Sequence, residues 1–388
     1  MTFRSTPASL PHAAITALIA LFVGVVAASG CTEPSGYVGA GVAADGVSAA
    51  DGGVGDGGVG ADGAGATDSG GGVDAGAGSD TGAAPVTGKE RDPACTDGKY
   101  TEVLPTGKES IQALIAAYSS DDTMTFITGV LAVRYPLGKT LVEGAIANAK
   151  QHCVDTFLPQ SQRGSASAVL SRMGVIVHEC GHFFDLYAKG KGFGESHYQF
   201  NQTVSFTCSG GGNQGSKPTF ARSLITGDKW GDANKACASF GDKGCDSYAP
   251  IYLNGDPTDA KFESGDQGFN MLMEEVVQYI NSLAEAVAFH DQIKGSTSAR
   301  DGILTFLWYM ERYLQMARLK YPASYKVILE DACWRNTVLT AWGRAWLYLN
   351  ATEGDPKLTI KGAMLLKNAR EPELMAEIQL LRDAHGCK

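Results

Sequence analysis

Residues 175–185 read Val-Ile-Val-His-Glu-Cys-Gly-His-Phe-Phe-Asp, which is an HExxH sequence set inside an apolar run. On a helix, His178 and His182 stand one turn apart on the same face, so both imidazoles can reach one metal ion. Glu179 lies about 100° further round the helix, where its carboxylate can contact a water at that metal. The spacing therefore predicts two metal ligands and one base, which suits a catalytic zinc site with an open coordination position.

The residues around this motif predict a helix from about Ser167 to Ala188. Ser165 or Ser167 can cap its start, apolar residues recur near helical spacing, and two glycines follow its end. In this context the stretch resembles the metal-binding helix of the zincin metallopeptidases. The resemblance covers only the motif region, and it implies a hydrolytic zinc site, a zincin-like fold and peptide or protein substrates.

The rest of the chain predicts a mainly α fold (α+β), with a small irregular β region and a helical C-terminal part. Residues 190–268 are rich in Gly, Ser, Asn and Asp, and their short apolar runs predict short strands and a lid over the metal. Three short runs are candidate strands: 198–201, 203–206 and 251–253. Residues 122–133 fit a strand or a helix. Helices are predicted at Glu109–Tyr118, Thr140–His152, Phe269–Val287, Gly302–Leu319, Ala323–Leu349 and Pro372–His385.

The resemblance also implies a third protein ligand, which the zincin branches place differently. Metzincins continue the motif with a Gly and a third His, and neither follows His182 at the required positions. In gluzincin-like enzymes the ligand is a Glu on a later helix, and Glu274 and Glu275 lie on such a predicted helix. Glu274 shares its helical column with polar residues and is expected to be solvated. Glu275 shares its column with less polar residues, so it is the preferred third ligand.

Other residues compete for roles around the metal. His197 is the strongest rival ligand after the two glutamates, because a site of three histidines is chemically acceptable, and Glu195 is another. Asp185 is better placed to accept a hydrogen bond from the second ring nitrogen of a ligand histidine. Four side chains are candidate donors to the oxyanion of the reaction: His197, Tyr198, Tyr252 and Tyr279.

The N-terminal part of the chain predicts export. Residues 1–30 combine Arg4, an apolar core and small residues, as in a signal peptide. The segment ends Ala-Ser-Gly before Cys31, which resembles a bacterial lipobox in which Cys31 carries lipid. The alternative is an ordinary secretory signal cut nearby. Residues 31–92 repeat Gly, Ala, Val and Asp without any apolar period, so they predict a disordered tether between the membrane and a domain at 93–388.

Charge and cysteine content restrict the function classes further. The formal net charge is −10, and most of it lies in the tether, so the domain is nearly balanced and no nucleic-acid partner is expected. Eight cysteines follow Cys31, and an even number in an exported chain predicts disulfides. Proximity in sequence favours Cys237–Cys245, and Cys333–Cys387 is a second expected pair. Cys180 points away from the metal on the motif helix, so it is a buried thiol or a disulfide partner.

These observations predict a zinc metallopeptidase that hydrolyses peptide bonds outside the cytoplasm. The expected location is the cell envelope, lipid-anchored to the outer membrane or cell surface, or the medium after secretion. The competing interpretation is a non-catalytic surface lipoprotein on a metallopeptidase scaffold. The sequence favours the enzyme because Glu179, which only catalysis requires, is present.

Overall fold

The computed structural model describes residues 93–387, apart from 97–99, 150–151, 193, 214–217, 240–241 and 243. The predicted signal peptide 1–30, the lipid-attachment residue Cys31 and the tether 31–92 therefore lie outside the described residues. Within the described part, no helix is both long and apolar enough to cross a membrane.

Helices dominate the described residues, and one two-stranded sheet accompanies them, as the mainly α prediction requires. Before the sheet lie α1 Gln112–Ala116, α2 Thr123–Arg134, α3 Pro136–Ala149, α4 His152–Phe157, α5 Ala166–Leu170 and α6 Met173–Phe183. The strands are β1 Glu195–Gln199 and β2 Ser205–Ser209, followed by the short helices α7 Lys229–Ala233 and α8 Ala249–Tyr252. After them come α9 Phe269–Ala288, α10 Ala299–Lys320, α11 Pro322–Glu330, α12 Ala332–Ala351, α13 Gly362–Asn368 and α14 Pro372–His385.

Local chemistry explains several of these boundaries. The ambiguous segment at 122–133 is the helix α2, whose first turn is capped because the Asp122 side chain accepts a hydrogen bond from the backbone N–H of Thr125. Pro136 then opens α3, since the first turn of a helix tolerates a residue without an N–H. The predicted helix Pro372–His385 is confirmed as α14, which ends at Gly386 in the left-handed conformation.

The motif segment is interrupted where one continuous helix was expected. Ser165 caps α5, which ends at Leu170, and α6 begins at Met173. At the break the Ser171 hydroxyl donates to the carbonyl of Ala168 at 2.7 Å, a local bond that competes with helical continuation. After Phe183 the chain continues as a π-helical turn, Phe184–Lys189. All of the HExxH residues nevertheless lie within α6, so the spacing argument holds.

The irregular region contains the only sheet of the described chain. β1 and β2 pair antiparallel, with His197 opposite Thr207. The third expected strand, at 251–253, is wrong: Ile251 and Tyr252 lie in α8, where Pro250 occupies the first turn of a helix.

Two long helices form the centre of the fold. Almost every residue of α9 and α10 is buried, and α9 packs against α6, α10 and α12. The expected single helix Ala323–Leu349 is instead two helices, because Asp331 interrupts it and caps α12 with bonds to the N–H groups of Cys333 and Trp334. Because α9 lies at the centre of the fold, the polar residues on this helix are buried as well.

Four disulfides join the described cysteines: Cys95–Cys387, Cys153–Cys180, Cys208–Cys333 and Cys237–Cys245. The prediction of Cys237–Cys245 is confirmed. The prediction of Cys333–Cys387 is wrong, because β2 brings Cys208 to the start of α12 while the end of α14 meets the N-terminal turn that carries Cys95. Cys180 is a disulfide partner, and its bond to Cys153 ties the motif helix α6 to α4.

Candidate metal centre

Three side chains from α6 and α9 converge on one point. The Nε2 atoms of His178 and His182 lie 3.1 Å apart, and Glu275 Oε2 lies 3.4 Å from each of them. All three side chains are buried. Of the histidine, cysteine and acidic residues in the described ranges, these form the one group of three or more that could hold a metal ion.

Two edges of this triangle of candidate ligand atoms have the length expected around a tetrahedrally coordinated metal ion such as zinc, and the edge between the two imidazole nitrogens is shorter. Bonds of about 2.0–2.2 Å at tetrahedral angles separate neighbouring ligand atoms by roughly 3.3–3.6 Å, and the observed edges are 3.1, 3.4 and 3.4 Å. Glu275 Oε2 is buried and has no hydrogen-bond partner among the described residues. A buried carboxylate oxygen without a donor is costly, so a cation between these three atoms fits the donor set.

Each ligand histidine is oriented through its other ring nitrogen. His178 Nδ1 lies 3.1 Å from Ser282 Oγ, and His182 Nδ1 lies 3.2 Å from Glu274 Oε1. Such partners fix the ring and direct its Nε2 lone pair to the metal. The expectation that Glu274 is solvated is wrong: its side chain is fully buried, because α6 packs along this face of α9.

The charges of the site are tightly coupled when no metal is bound. Burial alone would raise the pKa of Glu275, but the adjacent His182 and His178 hold that pKa well below its usual value. Burial would likewise lower the pKa of His182, but Glu275 and Glu274 hold it well above its usual value. Burial raises the pKa of Glu274. The raised pKa of His182 and the lowered pKa of Glu275 thus have the same cause, the close approach of these two side chains.

The rival ligands point elsewhere. His197 Nδ1 lies 2.8 Å from Thr207 Oγ1 and its Nε2 lies 3.0 Å from Gln199 Oε1, so both nitrogens are engaged within the sheet. Glu195 pairs with Lys191 at the surface. Asp185 is fully buried and accepts a hydrogen bond from Gln278 Nε2 at 2.8 Å. The hydrogen bond to a ligand histidine that was expected of Asp185 is made by Glu274 instead.

A tyrosine pair lies beside His178, and Glu179 follows His178 in the motif helix. Glu179 is half-buried on α6, and its expected contact with a water on the metal stays a prediction. The Tyr279 ring packs edge-on against the His178 imidazole, with centroids 4.7 Å apart. Its hydroxyl is 2.7 Å from that of half-buried Tyr252. The third tyrosine named as a donor, Tyr198, bonds the carbonyl of Asn270 within the core instead.

Ser282 and Glu274 were not predicted as hydrogen-bond partners of the two histidines. Both lie on the same helix as Glu275, at spacings that place them towards α6, but nothing in the sequence shows which neighbour covers that face. No family model, curated protein or solved structure matches this chain, so the site rests on its own geometry.

Proposed function

We propose that this protein is a zinc metallopeptidase of the zincin type, with His178, His182 and Glu275 as ligands. The observation that carries the proposal is the buried triangle of two imidazole nitrogens and one carboxylate oxygen, with edges that suit zinc. Three protein ligands leave a coordination position open, which is typical of catalytic zinc and not of structural zinc.

A zinc ion held by these residues would supply a Lewis acid for a substrate carbonyl and would lower the pKa of a water to about 7. The Glu179 carboxylate takes a proton from the attacking water and returns it to the nitrogen of the leaving amine. The Tyr279 ring contacts His178, and its hydroxyl and that of Tyr252 are the proposed hydrogen-bond donors to the oxyanion. Glu274 and Ser282 hold the two imidazoles in place during this exchange.

The proposed enzyme works outside the cytoplasm, on peptide or protein substrates. The four disulfides among the described residues are compatible with an oxidising compartment. The lipid anchor at Cys31 and the tether at 31–92 belong to the same proposal and rest on the sequence alone. A lid formed by residues 190–268 also stays a prediction, although Tyr252 brings that region to the tyrosine pair beside His178.

The test distinguishes the proposed metal ligand Glu275, the proposed base Glu179 and a control residue, Glu195. Zinc content and zinc affinity are measured on the purified protein, together with hydrolysis of an unfolded protein substrate. Glu179→Gln keeps the size of the side chain and removes the base, so turnover falls by about 10²–10⁴-fold while zinc affinity hardly changes. Glu275→Gln removes an anionic ligand, so zinc affinity and turnover fall together. Glu195→Gln is the matched control at the surface, and both quantities stay at the wild-type level.

Three results would contradict the proposal. A folded wild-type protein that takes up no zinc on titration excludes the metal site. Retained hydrolysis in Glu179→Gln excludes the role of Glu179 as base. Zinc binding without hydrolysis of any substrate favours the non-catalytic scaffold.

A further inference from the structure

A continuous column of polar side chains runs along α9 through the core. Glu274, Gln278, Asn281 and Glu285 recur every three or four residues, and none is more than 2% exposed. Polar groups in such a position need partners, because an unpaired buried amide or carboxylate is strongly destabilising. Three members of the column, Glu274, Gln278 and Asn281, are linked to one another, and we call these three the α9 ladder.

The α9 ladder joins the ligand His182 to a buried arginine. Glu274 Oε1 is 3.2 Å from His182 Nδ1 and accepts from Gln278 Nε2 at 3.0 Å. Gln278 Oε1 in turn accepts from Asn281 Nδ2 at 3.0 Å. Asn281 Oδ1 accepts from Arg344 Nη1 at 2.8 Å. Arg344 lies on α12 and is nearly fully buried.

The opposite side of Arg344 is anchored at the beginning of the described domain. Its Nε lies 3.0 Å from Glu102 Oε2, and this carboxylate also accepts from the Tyr348 hydroxyl at 2.6 Å. The Tyr135 hydroxyl adds a second donor to Asn281 Oδ1, at 3.1 Å. Arg344 is thus held by an ion pair on one side and turns a fixed N–H towards the ladder on the other.

The chemistry of a guanidinium gives this ladder a single direction. Arginine has donors and no acceptor, so Asn281 must turn its oxygen towards Arg344 and its NH₂ towards Gln278. Gln278 must then present its oxygen to Asn281 and its NH₂ towards Glu274 and Asp185. Glu274 therefore receives a donor from Gln278 and is left as an acceptor for His182. That acceptor requires the proton of His182 to be on Nδ1, which leaves the lone pair of Nε2 for a metal.

We infer that Arg344 is a positioning residue for the metal site and that it acts through the α9 ladder to select the Nε2-binding tautomer of His182. The inference rests on the proposed metal site. It adds Arg344 of α12, which is separated from the ligand His182 by the three hydrogen-bonded residues of the ladder. Mutation of a residue that orients a metal ligand without contacting the metal usually lowers metal affinity by about 10–100-fold.

Asn281→Asp tests the direction of the ladder with hardly any change of shape. The new carboxylate still accepts from Arg344, but it cannot donate to Gln278, so the oxygen of Gln278 loses its donor and Arg344 no longer sets the orientation of that amide. Zinc affinity should fall by about 10–100-fold, although an added negative charge alone would strengthen cation binding. Asn270→Asp is the matched control: Asn270 is also a buried amide on α9, and its Nδ2 donates to Ser196 Oγ. Its zinc affinity should stay within about two-fold of wild type.

A spectroscopic measurement on the wild-type protein needs no variant to fold. The ¹⁵N-labelled protein is loaded with ¹¹³Cd, and the scalar coupling between the metal and each ring nitrogen of His182 is recorded. Coupling to Nε2, together with a slowly exchanging Nδ1–H, is the expected result. Coupling to Nδ1 would overturn the inference, and so would an Asn281→Asp protein that binds zinc as tightly as Asn270→Asp. A wild-type protein that binds neither metal would instead refute the proposed function, so the two failures are distinguishable.

Discussion

Gly181→Ala is a sharp test of the packing inside the motif, because this glycine lies directly against the α9 ladder. A Cβ built on Gly181 would meet Gln278 Oε1 at 1.9 Å and Gln278 Cδ at 2.5 Å. Real Cβ atoms essentially never approach such a neighbour closer than 3.0 Å. The amide of Gln278 would therefore have to move by about 1 Å or more, in a core that has little free space.

The expected loss of stability follows from what that movement breaks. The hydrogen bonds of Gln278 to Asp185, at 2.8 Å, and from Asn281, at 3.0 Å, would both stretch beyond useful length. The loss of the two hydrogen bonds lowers the unfolding free energy by about 1 kcal/mol each, and overpacking lowers it by about 2 kcal/mol. The better helix propensity of alanine returns about 1 kcal/mol. The net loss of unfolding free energy is therefore about 3 kcal/mol.

The assay is denaturant unfolding of the metal-free protein, with zinc affinity measured in parallel. Gly129→Ala in α2 is the control, since its Cβ would make only an ordinary contact of 3.5 Å with Leu114 and should stabilise the helix by about 0.5–1 kcal/mol. Zinc affinity should fall in Gly181→Ala by about 10-fold, because Gln278 contacts Glu274. A Gly181→Ala protein as stable as wild type, with unchanged zinc affinity, would refute the account of this contact.

Three further predictions concern the disulfide in the motif, the charge of the site and the membrane anchor. Replacing Cys153 and Cys180 together by alanine should lower the unfolding free energy by about 3.5 kcal/mol, as the chain-entropy relation gives for a separation of 27 residues, and calorimetry checks this. The pKa of His182 in the metal-free fold is held above its unfolded value of about 6.5, so this stabilisation is complete below about pH 6.5 and is lost as the pH rises through the folded value. The metal-free protein should accordingly melt at a lower temperature at pH 8.5 than at pH 6.5, and an equal melting temperature would count against the coupling. The zinc-loaded protein should show the opposite trend, since the metal needs neutral His182. Cys31→Ser should release the full-length protein from membranes, and unchanged fractionation would point to an uncut apolar segment.

The sequence predicted those parts of the site that depend on spacing within one helix. His178 and His182 lie together as expected, because an HExxH segment of a helix leaves few alternatives, while the role of Glu179 stays a prediction. The preference for Glu275 over Glu274 came from the polarity of each helical column, and the structure brings Glu275 to the histidines. The reason given for Glu274 was nevertheless wrong, since its polar column is buried and not solvated.

The parts that could not be predicted depend on contacts between distant segments. A column of Glu, Gln and Asn on a helix usually marks a solvated face, and only the packing of α6 against α9 reveals that this column is internal. Cysteine pairing has the same origin: Cys237 and Cys245 are close in the chain, whereas Cys333 pairs with Cys208 because of where β2 lies. The breaks at Ser171 and Asp331 are set by local hydrogen bonds of one side chain each, one bond at Ser171 and two at Asp331, which compete with helix propensity.

The bond between Cys95 and Cys387, which are 292 positions apart, makes the intervening chain a covalent ring. A ring that is cut once opens without dividing. If copies of this protein nicked one another at any peptide bond between these two cysteines, the pieces would stay joined and would migrate as one species in a gel without reductant. Such a cut would become visible only after reduction. A single band under non-reducing conditions therefore shows that all parts of the chain are still covalently joined, and does not show that the polypeptide is uncut.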